Sequence, residues 1–170
     1  MNIDKPVNFS SQSNPGILLR MDRISKELRS RNMSHIRSSD TSPEVFIRKL
    51  LWKKGLRYRK NYTGIEGKPD MYFSKYRVAV FIHGCYWHRH QGCKNATTPQ
   101  TNTEFWEKKF SDNVHRDAIV REKLSAAGIR VIVVWECSME KAMKHKDEQI
   151  TLIDTLCFEI REGLSAYIEL

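Results

Sequence analysis

The chain has 170 residues, 40% of them hydrophobic, and its 29 Lys and Arg outweigh 20 Asp and Glu for a formal net charge of +9. That length buries a full core without disulfide staples, and no apolar run nears the roughly 20 residues of a membrane span, so a soluble single domain is expected. The basic balance favours a polyanionic partner through phosphate neutralisation and counterion release, without saying which polyanion.

Residues 1–40 read as a mobile basic N-terminal arm, polar and aperiodic to residue 20 and rich in Arg, Ser and Asn thereafter. A solvated tail and an arm laid along a nucleic-acid backbone fit that segment equally well. Organised structure begins at Thr41-Ser42-Pro43-Glu44, a helix start with a hydroxyl cap, proline in the first turn and an early carboxylate. Val45, Ile47, Leu50 and Leu51 give that helix an apolar face before the stop at Gly55. Leu56 to Tyr62, Met71-Tyr72-Phe73 and Arg77 to Ile82 read as strands, the last apolar enough to be central. A second helix is expected over Glu104 to Ala127, capped by Thr103 and interrupted near Ser111-Asp112-Asn113. Ile129 to Trp135 is another buried strand, and Asp147 to Glu162 a closing amphipathic helix that carries Cys157 on its apolar face. A strand, a crossover helix and a strand imply a parallel pair whose ends meet at one edge, which brings Cys137 close to the loop that follows His83.

That loop, HGCYWHRHQGCKN from His83 to Asn95, concentrates the chemistry. Four cysteines at 85, 93, 137 and 157, with no signal-peptide pattern, suit a reducing cytoplasmic setting and favour metal or free-thiol roles over disulfides. His90 and Cys93 have a chelate spacing, and Cys137 joins them by topology. Helical phase puts Asp117 in an apolar stripe with Trp106, Phe110, Val114 and Leu124, where a carboxylate needs a partner. The expected structural zinc ligands are therefore His90, Cys93, Asp117 and Cys137, with Cys85 and His88 as competitors for the fourth place.

Pro69-Asp70 at the entry to a strand pair is the leading carboxylate of a metal-dependent nuclease pattern, or else a turn residue. The Glu-x-Lys that normally follows is missing from RVAVFIH, and His83 and His88 are the candidates to replace it, since an imidazole can orient water or pass a proton at phosphate.

The motifs RSRNM (29–33), DTSPE (40–44), GKPD (67–70), RVAVFIHGCYWHRH (77–90), TEFWEKK (103–109), NVHRD (113–117) and VVWEC (133–137) stand in an order that resembles the very-short-patch repair endonucleases. Those bacterial enzymes nick DNA next to a T:G mismatch. The resemblance implies a single α/β domain over residues 41–170, a central mixed β-sheet flanked by helices, as a variant of the PD-(D/E)xK restriction-endonuclease-like fold with a structural zinc. It implies that Asp70 and the backbone carbonyl of Ile82 hold a catalytic magnesium, that His83 and His88 assist hydrolysis, and that Glu44 is an acidic residue near them. It matches His90, Cys93, Asp117 and Cys137 to zinc ligands. It also matches Tyr86, Trp87 and Trp106 to aromatics that wedge into the base stack, and Met33 to a residue of the arm that inserts from the opposite groove. Double-stranded DNA with a T:G mismatch is the implied partner of a monomeric enzyme, with mismatch-repair proteins as further partners. Position 82 departs from the threonine frequent in that family, so no hydroxyl is offered there. A zinc-stabilised DNA-binding protein without catalysis and a restriction-type endonuclease on the same fold are the alternatives.

Overall fold

In the computed structural model the described residues are 40–170 together with Ser25, Leu28 and Arg31. The rest of the expected N-terminal arm, Met33 included, lies outside the described residues. Helix α1 (Ser42–Lys53) starts as its sequence dictates, with Thr41 extended at the N-cap and proline in the first turn. The Glu44 carboxylate reaches back to accept from the Asp40 N–H at 2.9 Å and from Thr41 Oγ1 at 2.8 Å, which occupies donors that a helix N-terminus leaves over. Strands β1 (Arg59–Lys60), β2 (Met71–Phe73) and β3 (Val78–His83) follow, then helix α2 (Thr103–Ala126), strand β4 (Arg130–Trp135), helices α3 (Glu136–Lys144) and α4 (Lys146–Arg161), and strand β5 (Tyr167–Glu169).

The five strands form one sheet in the order β1-β2-β3-β4-β5. The first two junctions are antiparallel and the last two parallel, so the sheet is mixed. Val78 to His83 pair residue for residue with Arg130 to Trp135, and both strands therefore end at the same edge. Side chains alternate across a pleated strand, so each face collects its own set. Val78, Val80, Ile132 and Val134 face one core with Ile47, Leu51, Met139, Leu156 and Ile160 from α1, α3 and α4. Ala79, Val131, Val133 and Trp135 face the other, with Leu124 from α2. Fully burying each such aliphatic side chain contributes roughly 1.5–3 kcal/mol. The alternation also decides the site, because it sends His83 to the α2 face in register with Trp135.

Several boundaries differ from expectation. Helix α2 runs unbroken through Ser111-Asp112-Asn113, because Asp112 pairs with Lys108 one turn back and Asn113 turns inward to donate to the Trp87 carbonyl. Its N-cap is Asn102 in a left-handed conformation, and Thr103 is already helical. Only Arg59 and Lys60 of the alternating 56–62 stretch join the ladder. Helix α3 was masked in the sequence by its charged ECSMEKAMK composition, with only Met139 and Ala142 buried. Strand β5 is three residues long and owes its extended form to pairing with β4. Among the described residues, no helix is long and apolar enough to cross a membrane.

Candidate active site and metal centre

The loop after β3 distributes its side chains between two clusters. Cys85, His90 and Cys93 meet Cys137 from the first turn of α3, and one ligand atom from each lies within 4.8 Å of all the others. The Cys137 and Cys85 sulfurs are 3.4 and 3.6 Å from His90 Nδ1. In a tetrahedron with Zn–S of 2.3 Å and Zn–N near 2.1 Å, sulfur and nitrogen stand about 3.6 Å apart, so three thiols and an imidazole fit a closed zinc shell. Burial pushes the Cys85 thiol up, while the Asn95 N–H holds the Cys93 thiol down.

Asp117 is not in this group. It belongs to the second cluster, with His83 and His88, where its carboxylate Oδ2 bonds His88 Nδ1. Helical phase grouped Asp117 with Trp106, Phe110, Val114 and Leu124, of which Val114 is exposed, and phase does not say how far along the sheet a helix sits. The position of α2 sets Asp117 against His88, and the fully buried Cys85 is the fourth member of the cluster with His90, Cys93 and Cys137.

His83 ends β3, and its ring stacks on that of His88 with centroids 3.8 Å apart. Burial, reinforced by the neighbouring His88, pushes the His83 imidazole down to about 3, so it is neutral near pH 7. Asp70, at the entry to β2, accepts a 2.7 Å hydrogen bond from the Ile82 N–H. Burial pushes its carboxyl up to about 6; nearby Glu44 pushes the same way, against the Ile82 N–H and Arg48. Glu44 is itself buried and engages Arg48 at 3.0 Å. A hard divalent ion such as magnesium is typically held by one or two carboxylates, substrate phosphates and waters; Asp70 on the cleft can supply such a carboxylate, whereas both Glu44 oxygens are engaged by Asp40, Thr41 and Arg48.

Asp70, Ile82, His83, His88 and Asp117 all line one cleft of about 530 Å³, which Trp135, Tyr167 and Glu169 line as well. Trp135 lies between the clusters: His90 stacks on its face at 4.1 Å and His83 meets it edge-on at 5.5 Å. Its indole N–H donates to Glu169 at 2.8 Å. Beside the cleft the aromatics gather, with Tyr86 centred 5.0 Å from Trp87, 5.9 Å from Trp106 and 5.1 Å from Phe110. Trp106 is buried, Tyr86 and Trp87 are half-buried, and Phe105 next to Trp106 is exposed. Gly84 allows this approach, since a Cβ there would stand 3.3 Å from the Trp87 ring. Sequence places Phe110 in the apolar stripe of α2 and Trp135 at a strand end without tying either to the site, and it does not single out Asn113 or Glu169. The 106-110-113-117 spacing on α2 is the available signal for Asn113, whereas nothing local announces Glu169.

A family model for the DNA mismatch endonuclease Vsr matches residues 21–95. The DNA mismatch endonuclease Vsr of Escherichia coli (strain K12) is 39% identical over 146 residues, covering 85% of this chain and 91% of that protein. The chain belongs to the Vsr family of DNA mismatch endonucleases. Within the family it is also similar to the type II nicking enzyme V.NmeAIP of Neisseria meningitidis serogroup A, 44% identical over 119 residues that span 70% of this chain and 84% of the relative. A third relative, the type II nicking enzyme V.NaeI of Lentzea aerocolonigenes, is 41% identical over 134 residues, or 75% and 76% of the two chains. As a Vsr-family chain this protein is a DNA endonuclease, a hydrolase of the phosphodiester backbone, built on a restriction-endonuclease-like α/β fold.

Proposed function

We propose that this Vsr-family enzyme nicks one strand of duplex DNA next to a T:G mismatch by magnesium-dependent hydrolysis, opening very-short-patch repair. The observation that carries this reading is the meeting of Asp70, His83 and the His88–Asp117 pair in one cleft beside an aromatic cluster. The names of the relatives add support, since mismatch endonuclease and nicking enzyme imply a mismatched substrate and a single-strand cut.

In this reading Asp70, aided by the carbonyl of Ile82 and the charge of Glu44, holds the catalytic magnesium, which supplies polarisation of a phosphoryl oxygen and a lowered pKa for a bound water. His88 donates its Nδ1–H to Asp117, which fixes the tautomer and leaves Nε2 with a lone pair for the attacking water's proton. Asp117 then steadies the imidazolium that forms, as a carboxylate does behind a catalytic histidine. His83, neutral and packed on His88, holds that ring in place and offers a second nitrogen to the phosphate. Cys85, His90, Cys93 and Cys137 hold a structural zinc that ties the loop to α3, in place of the set that included Asp117. Tyr86, Trp87 and Trp106 press into the base stack while Met33 and the basic arm engage the opposite groove. A mismatched step costs less to unstack than a matched one, so the distortion discriminates. The chain works in this reading as a cytoplasmic monomer at the nucleoid, handing its nick to mismatch-repair proteins.

A covalently closed plasmid bearing one T:G pair tests this. Nicking with magnesium, none without it, and none by Asp70→Ala are the expected results. Equal nicking of the matched plasmid would remove the mismatch claim, and double-strand breaks in matched DNA would point to restriction.

A further inference from the structure

We propose that the groove between α1 and β1 holds the phosphate backbone of the duplex flanking the cut, through Lys49, Lys53 and Arg57. This contact needs the chain to be a DNA endonuclease, and needs neither the mismatch preference nor the magnesium of the reading above.

Between residues 49 and 60 the chain carries Lys49, Lys53, Lys54, Arg57, Arg59 and Lys60, and no acid stands anywhere from Val45 to Ile65. Helical spacing puts Val45, Lys49, Trp52 and Lys53 on one face of α1, and that face lines a groove of about 420 Å³ together with Tyr58 and Lys60. Three of the six cations are engaged: Lys54 with Asp154 at 2.8 Å, Lys60 with Asp40 at 2.6 Å, and Arg59 over the Tyr62 ring at 4.8 Å. Asp40 also lines the groove, but Arg48 and Lys60 both hold it. Among the described residues, Lys49, Lys53 and Arg57 have no carboxylate partner, which leaves their charge for an anion from outside. The Arg57 guanidinium lies 3.9 Å over Trp52 and donates through Nη1 to the Trp52 carbonyl at 3.0 Å. It is thus positioned before any phosphate arrives, and a fixed guanidinium fork suits phosphate oxygens.

The groove begins beside the cutting site. Lys60 pairs with Met71 in the β1–β2 ladder, and the Asn61 N–H donates to the Asp70 carbonyl at 3.3 Å, so the Lys60 end is one strand away from Asp70. At 1.5 Å per residue, Lys49 and Lys53 stand about 8 and 14 Å along α1 from Glu44, whose charge acts on Asp70. Phosphates follow one another about every 3.4 Å of axis along one strand, so these cations reach the flank and not the target pair.

A duplex backbone fits this groove better than other polyanions. A single strand needs aromatic faces to stack on, yet Arg57 covers one face of Trp52, and Tyr58 is half-buried with its ring edge-on to Trp52 at 6.2 Å and Phe73 at 5.6 Å. Protein interfaces deplete lysine at their centres, whereas Lys49, Lys53 and Lys60 line this groove.

The test measures binding of the full chain to duplex DNA by fluorescence anisotropy across a salt series, without magnesium so that nothing is cut. One duplex ends shortly beyond the target pair, and two others are lengthened on one side or the other. Lys49→Gln/Lys53→Gln/Arg57→Gln should bind one lengthened duplex at least roughly tenfold more weakly than wild type and lower the slope of log K against log salt by about 2–3, close to 0.9 for each lost contact. Its binding to the short duplex should match wild type. Lys141→Gln/Lys144→Gln/Lys146→Gln removes the same charge from exposed positions of α3 and α4 and should leave the slopes unchanged. Lys49→Gln/Lys53→Gln, which keeps Arg57 on Trp52, carries the test if the triple variant misfolds, with a slope change of about 2. An unchanged slope would overturn the proposal and leave the groove to an acidic protein. Equal losses on short and lengthened duplexes, or a matching loss in the α3–α4 variant, would overturn it too. The slope change should be the same on matched and T:G duplexes. A chain that binds the flank in this way but shows no mismatch preference refutes the mismatch reading alone, and one that prefers the mismatch with an unchanged slope refutes this contact alone.

Discussion

At the scale of single residues, Asp117 changes the argument most. Its carboxylate sits on His88 and not among the thiols, so its loss should harm proton transfer and spare the zinc. Asp117→Asn is expected to lower the single-turnover nicking rate by about 10²–10⁴-fold, the range for a disabled general acid–base pair, with DNA affinity unchanged. Arg48 offers a second test. It is buried between Glu44 at 3.0 Å and Asp40 at 2.7 Å, and Asp40 is half-exposed, so the pairing with Glu44 dominates. Arg48→Met leaves the buried Glu44 carboxylate without its cation and should cost about 3 kcal/mol in urea unfolding. Adding Glu44→Gln should recover part of that loss, because the uncompensated charge is then gone.

At the scale of elements, the sheet edge and α2 act as a pair of jaws. The turn before β2 carries Gly67 at φ +76, and a Cβ there would collide with Val120 Cγ1 on α2. Gly67→Ala is therefore expected to destabilise by at least about 1–2 kcal/mol, the cost of a side chain in that backbone region, with the collision in addition. Val120→Ala in the same chain should relieve the collision but not the backbone term, and a thermal-unfolding double-mutant cycle separates the two. The loop between β3 and α2 is the other functional element. Zinc content measured on purified variants should fall to near zero for Cys85→Ala, Cys93→Ala and Cys137→Ala, while Asp117→Ala keeps one ion per chain. Zinc lost from Asp117→Ala but kept by Cys85→Ala would restore the ligand set expected from sequence.

At the scale of the whole molecule, a zinc ion on the proposed Cys85, His90, Cys93 and Cys137 set would link the cutting loop to α3 and, through Trp135 stacked on His90, to the central sheet. Removing it with a strong chelator should lower the unfolding midpoint and cut nicking. Far-ultraviolet circular dichroism should stay close to native, since the core under α1, α3 and α4 contains none of the four proposed ligands, although Cys85 is a buried member of the α2-side core and Cys93 and Cys137 pack against it. Wholesale loss of helix on chelation would mean that the metal organises the fold and not the loop alone. The net charge of +9 acts at this scale too, making DNA affinity fall steeply with added salt whatever the mismatch.

The sequence by itself determined the order and kind of the main elements. Thr41 to Glu44 set where α1 begins, the runs VAVFI and IRVIVVW marked the buried parallel pair, and the strand-helix-strand order brought Cys137 to the loop after His83. It also held the motifs that named the family and the histidines and Asp70 of the cleft. These are local signals, written in periodicity, caps and short spacings. Strand β5 and helix α3 were not legible, because three residues of extended chain and a charged nine-residue helix take their form from neighbours on the sheet. The division of the loop into two clusters was decided only by tertiary structure. Spacing and helical phase fix angles along one element, but the rigid-body position of α2 against β3 fixes distance, and distance put Asp117 on His88 and Cys85 among the thiols.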